Sequence, residues 1–311
     1  MTTTMNRHDE AALIALDWGT TSLRAYLVDA GGAVLERRQS AEGIRSVRER
    51  AFADTFARAV QGWPDGLPVL ACGMIGSRNG WHEAAYCDTP AGVDALAAAL
   101  ARVPGTRVAI VPGVRWVDGH GDPDVMRGEE TQLVGAALGG RPDGLFVHPG
   151  THCKWARMDG GRITRFSTWM TGELHAALLA HTILGAFGPS AAAPAGGAHG
   201  EPFARGVARA AAGADFLHAL FTARSRLLEA DLQPADVPDY LSGLLIGEEI
   251  RGARAAGWLE PGVRATLIGD ERLTVRYARA LALCDAPAET SPDDVVVPGL
   301  LAIARAAALI A

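Results

Sequence analysis

Apolar and polar positions along the 311-residue chain fall into short strand-like runs that alternate with helical ones. Ala11–Leu16 is an apolar run of buried-strand length, followed by the turn "DWGTTS". "LRAYLVD" then alternates, with Leu23, Ala25 and Leu27 on one face. "DAGG" reads as a hairpin turn and "AVLERR" as the start of a third strand. Ala51, Phe52, Phe56, Ala59 and Val60 recur at helical spacing. "PVLACGMIG" predicts a buried strand ending in glycine, "GVDALAAALARVP" a helix, "RVAIVPGV" a further strand, and residues 129–138 a helix. Residues 144–166 repeat the first plan: strand "LFV", turn "PGTHCKW", a second strand into "MDGG", then "RITRF". Aligning Gly19-Thr20 with Gly150-Thr151 brings Asp29 within one residue of Asp159, so the hairpins match with little residue identity. The Ala/Gly/Pro-rich 185–206 predicts a surface loop, and 207–257 is mostly helical. "ATLIGDERLTVRYARALAL" reads as strand, glycine turn and helix, and "DDVVVPGLLAIARAAALI" as a strand and terminal helix. Two α/β domains with mixed sheets are expected, 1–140 and 141–311, with the terminal helix packing back on the first and the site in the cleft between them.

Composition adds exclusions. A net charge of −6 argues against nucleic-acid binding, which usually shows a basic domain. No apolar run reaches the roughly 18–20 residues of a membrane helix. "MTTTMNRHDE" lacks the apolar core of a secretory signal and reads as a disordered lead-in. Cys72, Cys87, Cys153 and Cys284 form no C-x-x-C pair and suit reduced thiols of a cytoplasmic protein. His148 and His152 have i,i+4 spacing, but Pro149 and Gly150 break any helix between them, which disfavours a zinc site.

The chemistry lies in the two turns. A Gly-Thr turn between strands gathers backbone N–H groups into a nest for phosphate oxygens, and hydroxyls add donors. Gly19, Thr20, Thr21 and Ser22 supply one, and Gly150, Thr151 and His152 the other. Two nests at the heads of matching hairpins suggest a nucleoside triphosphate clamped between two domains. Asp17, beside the first nest, would repel phosphate unless a hard cation such as Mg²⁺ lay between them. Lys and Arg total 29, and Lys154 is the single lysine. A slim ammonium suits the tight space beside a transferring phosphoryl group, so Lys154 is expected at the phosphates or at a substrate carboxylate.

The pattern resembles the actin-like ATPase superfamily. "LDWGTTSLRA" looks like its first phosphate motif, "PGTHCKW" stands in place of its second, and "LIGDERL" is similar in position to its adenosine motif, with Gly269 and Asp270. The motifs "MIGSRNGW", "VMRGEETQLVGA", "PGTHCKW", "STWMTGELH", "LSGLLIGEE" and "RYARAL" narrow the resemblance to the 2-dehydro-3-deoxygalactonokinase family, in family order over nearly the whole chain. That resemblance implies a two-domain actin-like (ribonuclease H-like) fold and transfer of phosphate from ATP, with Mg²⁺, to the 6-hydroxyl of 2-dehydro-3-deoxy-D-galactonate, a step of D-galactonate breakdown. In related sugar kinases the base is the aspartate of a Gly-Asp that opens a helix before the second phosphate motif. Gly128-Glu129 holds that place, which makes Glu129 the expected base and Glu130 the alternative.

The sugar acid needs a cation and neutral donors. Arg78, Asn79 and Trp81 of "SRNGW" are candidates at a strand end, with Arg24 and Glu130. Thr171, Glu173 and His175 of "TGELH" are further polar candidates, with helix capping an equal reading of Thr171. The expected partners are the sugar acid and ATP, with a homodimer as the assembly considered. Alternatives are a kinase of another 2-keto-3-deoxy acid or ketose, a sugar-sensing regulator of the same fold and a chaperone-like or filament-forming ATPase. The regulator lacks room for a DNA-binding helix pair ahead of residue 11. The chaperone-like ATPase lacks a substrate-binding appendage.

Overall fold

The computed structural model describes residues 7–186, 200–213, 215–291 and 294–311. In chain order the elements are β1 (Ala11–Trp18), β2 (Leu23–Asp29), β3 (Val34–Ser40), α1 (Phe52–Ala59), β4 (Val69–Cys72), β5 (Tyr86–Asp88), α2 (Val93–Ala98), β6 (Ala101–Arg102), β7 (Val108–Ile110), β8 (Gly113–Val117), β9 (Pro123–Met126) and α3 (Glu129–Leu138). They continue as β10 (Gly144–His148), β11 (Cys153–Asp159), β12 (Arg162–Trp169), α4 (Thr171–His181), α5 (Glu201–Ala211), α6 (Phe216–Leu228), α7 (Val237–Ala255), β13 (Ala265–Leu267), α8 (Glu271–Leu283), β14 (Ala288–Thr290) and α9 (Val296–Ala306).

One sheet has the order β3-β2-β1-β4-β7-β6 and a second β12-β11-β10-β13-β14. Within the first, β1 pairs antiparallel with β2 and parallel with β4, and β4 pairs parallel with β7. In the second, β10 pairs parallel with β13, and β13 with β14. Both therefore have a three-strand meander continued by parallel strands, so the repeat seen in the hairpins extends to whole sheets. β1 is buried along most of its length, as a central strand covered on both faces must be. β5, β8 and β9 form a small third sheet.

The chain divides into two compact units. One comprises residues 1–143, 157–166 and 294–311, the other 144–156 and 167–293. The first unit's core gathers Ile14, Leu16, Trp18, Phe52, Val69 and Ile110. The second packs Val147, Trp155, Phe203, Ile246, Trp258 and Leu281. In each, a helix pair is drawn together through glycine. In the first, a Cβ at Gly135 of α3 would overlap the Val295 carbonyl, and one at Gly299 of α9 the Thr131 carbonyl. In the second, Gly206 of α5 abuts Tyr240 O, and Gly243 of α7 abuts Phe203 O.

Several sequence expectations need correction. "RVAIVPGV" is two strands in two sheets, β7 and β8. Pro112 between them offers no N–H to a ladder. "DDVVV" contributes no strand over its described residues: Val296 and Val297 open α9, with Pro298 in the first turn, where its missing N–H costs nothing. The helix expected over "GVDALAAALARVP" stops at Ala98, and Ala101–Arg102 pair with β7 instead. The 185–206 loop expectation falls largely on 187–199, outside the described residues, but Glu201 already begins α5 with Pro202 in its first turn. The lead-in expectation for 1–6 also lies outside them, and Arg7–Glu10 form a 3-10 turn. Among the described residues no helix is long and apolar enough to cross a membrane.

Candidate active site

In the first unit, β1, β4 and α3 meet through two glycines. Asp17, near the end of β1, stands in register with Cys72, the last residue of β4. Gly73 follows with φ +94°, and a Cβ there would lie 2.8 Å from the Trp18 carbonyl oxygen. Gly128 has φ +108°, and its Cβ would lie 3.0 Å from the Gly73 Cα. Both positions demand glycine by backbone angle, and the close approach lets α3 begin beside the carboxyl ends of parallel strands, where open α/β sheets bind ligands. Glu129 opens that helix, and its Oε2 accepts a hydrogen bond from the Arg127 backbone N at 3.0 Å.

Asp17 accepts from Arg24 Nη1 at 3.2 Å. Burial nonetheless pushes its carboxyl above the usual range. Arg24 draws it back, while Glu129 and Asp294 add to the rise. A carboxylate held in this surplus of negative charge gains from a cation beside it. Among the described residues no group of three or more His, Cys, Asp or Glu could hold a metal ion.

Gly19 N donates to Ser22 O at 2.9 Å, closing the first Gly-Thr loop and leaving Thr20 and Thr21 exposed. The chain returns after β3 to brace it: Ile44 N donates to Gly19 O at 3.0 Å and Arg45 N to Thr20 O at 3.2 Å. Gly43 makes the approach possible, since a Cβ there would overlap the Thr20–Thr21 peptide. The second unit repeats the device three residues past its own third strand. A Cβ on Gly172 would overlap Gly150 O and lie 2.9 Å from the Thr151 Cα, and Glu173 N donates to Thr151 O at 2.9 Å. His152 Nε2 is hydrogen-bonded to Glu173 Oε2 at 2.5 Å. Gly43 lies in none of the sequence motifs, and Gly172 stands inside "STWMTGELH" with no role assigned to it, although their shared offset from the third strand could have found both. Gly43→Ala should force the braced loop aside and cost about 1–3 kcal/mol of stability, the range of overpacking, measured by urea unfolding.

Lys154 is 4% exposed. Cys153 and Trp155 on either side face the second core, so the lysine takes the opposite face of β11. Its Nζ lies 3.5 Å from His152 O, at the base of the second loop.

Glu130, expected as a substrate contact or alternative base, is wholly buried. Its carboxyl accepts from Gly128 N at 2.6 Å and from Thr131 Oγ1 at 2.9 Å. It clamps the start of α3 and is closed to a substrate, leaving Glu129 as the partly exposed carboxylate of the pair. Burial, aided by the Glu129 charge, pushes Glu130 up to about 8 from 4.5. Between those values the folded chain keeps a proton that the unfolded chain has released, so stability falls as pH rises through that window. Melting temperatures from pH 5 to 8 should fall in the native protein and fall less in Glu130→Gln.

Other expected contacts are placed differently. Trp81 packs edge-on to Trp18 at 6.3 Å and against Phe56 at 5.9 Å, so it serves the core. Arg78 and Asn79 are exposed, and the Arg78 side chain, 87% exposed, lies 3.6 Å from Glu83. Gly269, with φ +128°, leaves β13 next to Pro149 and His148, and Asp270 caps α8 by accepting from Arg272 N at 3.0 Å. Thr171 donates to Glu249, and His175 Nε2 donates to Pro238 O at 3.0 Å.

The second unit also holds a polar network that motif reading assigned no role. Buried Glu249 accepts from Trp155 Nε1 at 2.6 Å, Tyr277 OH at 2.7 Å and Thr171. Arg276 Nη2 donates to Asp239 Oδ1 at 2.6 Å, both side chains buried. "STWMTGELH", "LSGLLIGEE" and "RYARAL" are therefore joined by a shared interior.

Paired mixed sheets, each opening on a Gly-Thr loop, with a carboxylate at a helix start beside the first, define the actin-like ATPase fold and the kinases built on it. The family model of 2-keto-3-deoxy-galactonokinase matches residues 17–303. The 2-dehydro-3-deoxygalactonokinase of Escherichia coli (strain K12) is 38% identical over 304 residues, covering 96% of this chain and 99% of that protein. A Rhizobium meliloti (strain 1021) protein provisionally named for the same activity is 39% identical over 300 residues, covering 94% and 96%. The crystal structure of a Sinorhizobium meliloti protein, also provisionally named a 2-dehydro-3-deoxygalactonokinase, has a TM-score of 0.85 at 38% identity, covering 94% of this chain and 98% of that one. The activator of 2-hydroxyisocaproyl-CoA dehydratase from Clostridium difficile shares the fold alone, with a TM-score of 0.52 at 11% identity. The chain belongs to the 2-keto-3-deoxy-galactonokinase family, and it is a kinase.

Proposed function

We propose that this chain transfers the γ-phosphoryl group of ATP to the 6-hydroxyl of 2-dehydro-3-deoxy-D-galactonate in the cytoplasm, releasing ADP and the 6-phosphate, as a step of D-galactonate breakdown. The observation that carries the reading is Glu129, half-buried at the start of α3 and held beside Asp17 by the Gly73–Gly128 approach. The names of its relatives add the substrate.

In this reading Glu129 takes the proton of the 6-hydroxyl as its oxygen bonds to the γ-phosphorus and the bond to the β–γ bridging oxygen breaks. Phosphoryl transfer depends mainly on alignment and charge stabilisation, so Glu129 acts chiefly by orienting the hydroxyl and receiving its proton. The loop amides and hydroxyls of Gly19–Ser22 and Gly150–His152 hold phosphate oxygens. Asp17 would hold Mg²⁺, which when bound neutralises phosphate charge. Arg24 keeps the Asp17 carboxylate oriented. Lys154, at the root of the second loop, supports its Gly150–His152 backbone with a compact charge, and the glycine turn at Gly269 leaves room for the purine. Arg78 and Asn79 are the exposed groups at the mouth of the sugar-acid site.

Lys154→Arg should lower turnover roughly tenfold through displacement of that loop, with an unchanged circular dichroism spectrum. The reading as a whole is tested by coupled ADP release across 2-keto-3-deoxy acids and simple ketoses. Activity on the keto acids supports it, and activity on none of them defeats it.

A further inference from the structure

In the first unit, two neighbouring residues are left with polar groups that the fold does not satisfy. Arg127, nine-tenths buried, directly precedes the Gly128-Glu129 pair. Its Nη2 donates to Ala84 O at 2.7 Å, and its guanidinium lies over the Tyr86 ring at 4.4 Å from the centroid. Its Nε and Nη1 are buried and have no partner. Nη1 faces Gly76, where a Cβ would come within 2.9 Å of it. The next residue, Ser77, also has its Oγ buried and without a partner.

A buried guanidinium is costly unless an anion and hydrogen bonds compensate it. No carboxylate side chain is paired with this one among the described residues: the guanidinium's one hydrogen-bond acceptor is the neutral backbone carbonyl of Ala84. A cation with a buried, unpartnered Nη1 facing Gly76, and a spare hydroxyl on the next residue, suit a carboxylate, whose two oxygens accept up to about four hydrogen bonds. Phosphate is the other common anion, but the two Gly-Thr loops already supply its donors. Arg127 is two residues from Glu129, a backbone span of at most about 7 Å. That is comparable to the reach of a six-carbon acid from its carboxylate to its far hydroxyl. The exposed Arg78 has no such need, being already near Glu83 in water.

We infer that Arg127 and Ser77 form the subsite for the C1 carboxylate of the sugar acid, whose oxygens accept from Arg127 Nη1 and Ser77 Oγ. This rests on the keto-acid kinase reading. It makes Arg127 the residue that selects an acid over a neutral sugar, and Gly76 the residue that leaves room for its guanidinium.

The test compares kcat/KM for the keto acid with that for its C1 amide, equal in length but uncharged, in native enzyme, Arg127→Gln and Ser77→Ala. The native enzyme should prefer the acid. Arg127→Gln should lower kcat/KM for the acid by about 10²-fold and Ser77→Ala by roughly tenfold, the range for hydrogen bonds to a charged group. The amide and the KM for ATP should change less than about threefold in both, a split that a merely structural role would not produce. Melting curves check Arg127→Gln, and if it fails to fold, Ser77→Ala decides by itself. An acid preference equal to the native one in every folded variant overturns the inference and leaves the kinase reading standing. A native enzyme inactive on every keto acid overturns both.

Discussion

Glu129→Gln should retain nucleotide binding and lose about 10²-fold or more of turnover, the range of a general base. Glutamine keeps the length and, with its amide turned, an oxygen that can accept from Arg127 N, so the start of α3 should not change. What is lost is the lone pair that takes the hydroxyl proton. The neighbouring carboxyl cannot replace it, because Glu130 is buried and clamps Gly128 N and Thr131. Single-turnover phosphate transfer, with nucleotide binding followed by calorimetry, separates the two effects. Near-native turnover would remove Glu129 from the role. Removing its negative charge should also ease Asp17, whose carboxyl that charge helps to raise.

Glu249→Ala should cost about 3–5 kcal/mol of stability. The carboxyl is the shared acceptor of Trp155, Tyr277 and Thr171, and removing it strands three donors in the second core. Burial pushes Glu249 above the ordinary carboxylate range, so Glu249→Gln, close in shape to the protonated acid, should cost less than half as much. Urea unfolding followed by tryptophan fluorescence measures both. Equal stability of Glu249→Ala and the native chain would mean that the donors find other partners. The network reaches the second loop as well, because Thr171 immediately precedes Gly172, the residue pressed against Gly150 and Thr151.

Local chemistry made much of this legible in the sequence. Apolar runs and glycine turns marked β1, β2, β10 and both Gly-Thr loops, because strand period and turn residues are properties of a few neighbours. The carboxylate pair at 129–130 was visible for the same reason. Burial was not: Glu129 and Glu130 are adjacent and chemically alike, and only the packing of α3 against α9 sends one inward. Trp81 reads in sequence as a sugar-facing indole, and its packing against Trp18 and Phe56 shows only in the fold. The orphaned donors of Arg127 are also invisible in sequence, since an arginine there reads as any other. Gly43 and Gly172 are short of information for the opposite reason. Each acts by having no side chain, and only the neighbouring peptide shows why.

The interleaving of the two units has a practical consequence for anyone wishing to dissect the protein. The chain leaves the first unit after residue 143, returns for 157–166, leaves again and comes back at 294. No single cut of the gene therefore yields either unit whole. A fragment ending at 143 would lack α9 and bare the glycine face of α3, including Gly135 and Thr131, to solvent and to self-association. A stable half-molecule would need the 157–166 hairpin and α9 grafted back by new linkers. The order of segments along the chain thus makes each unit dependent on residues encoded far from the rest of it.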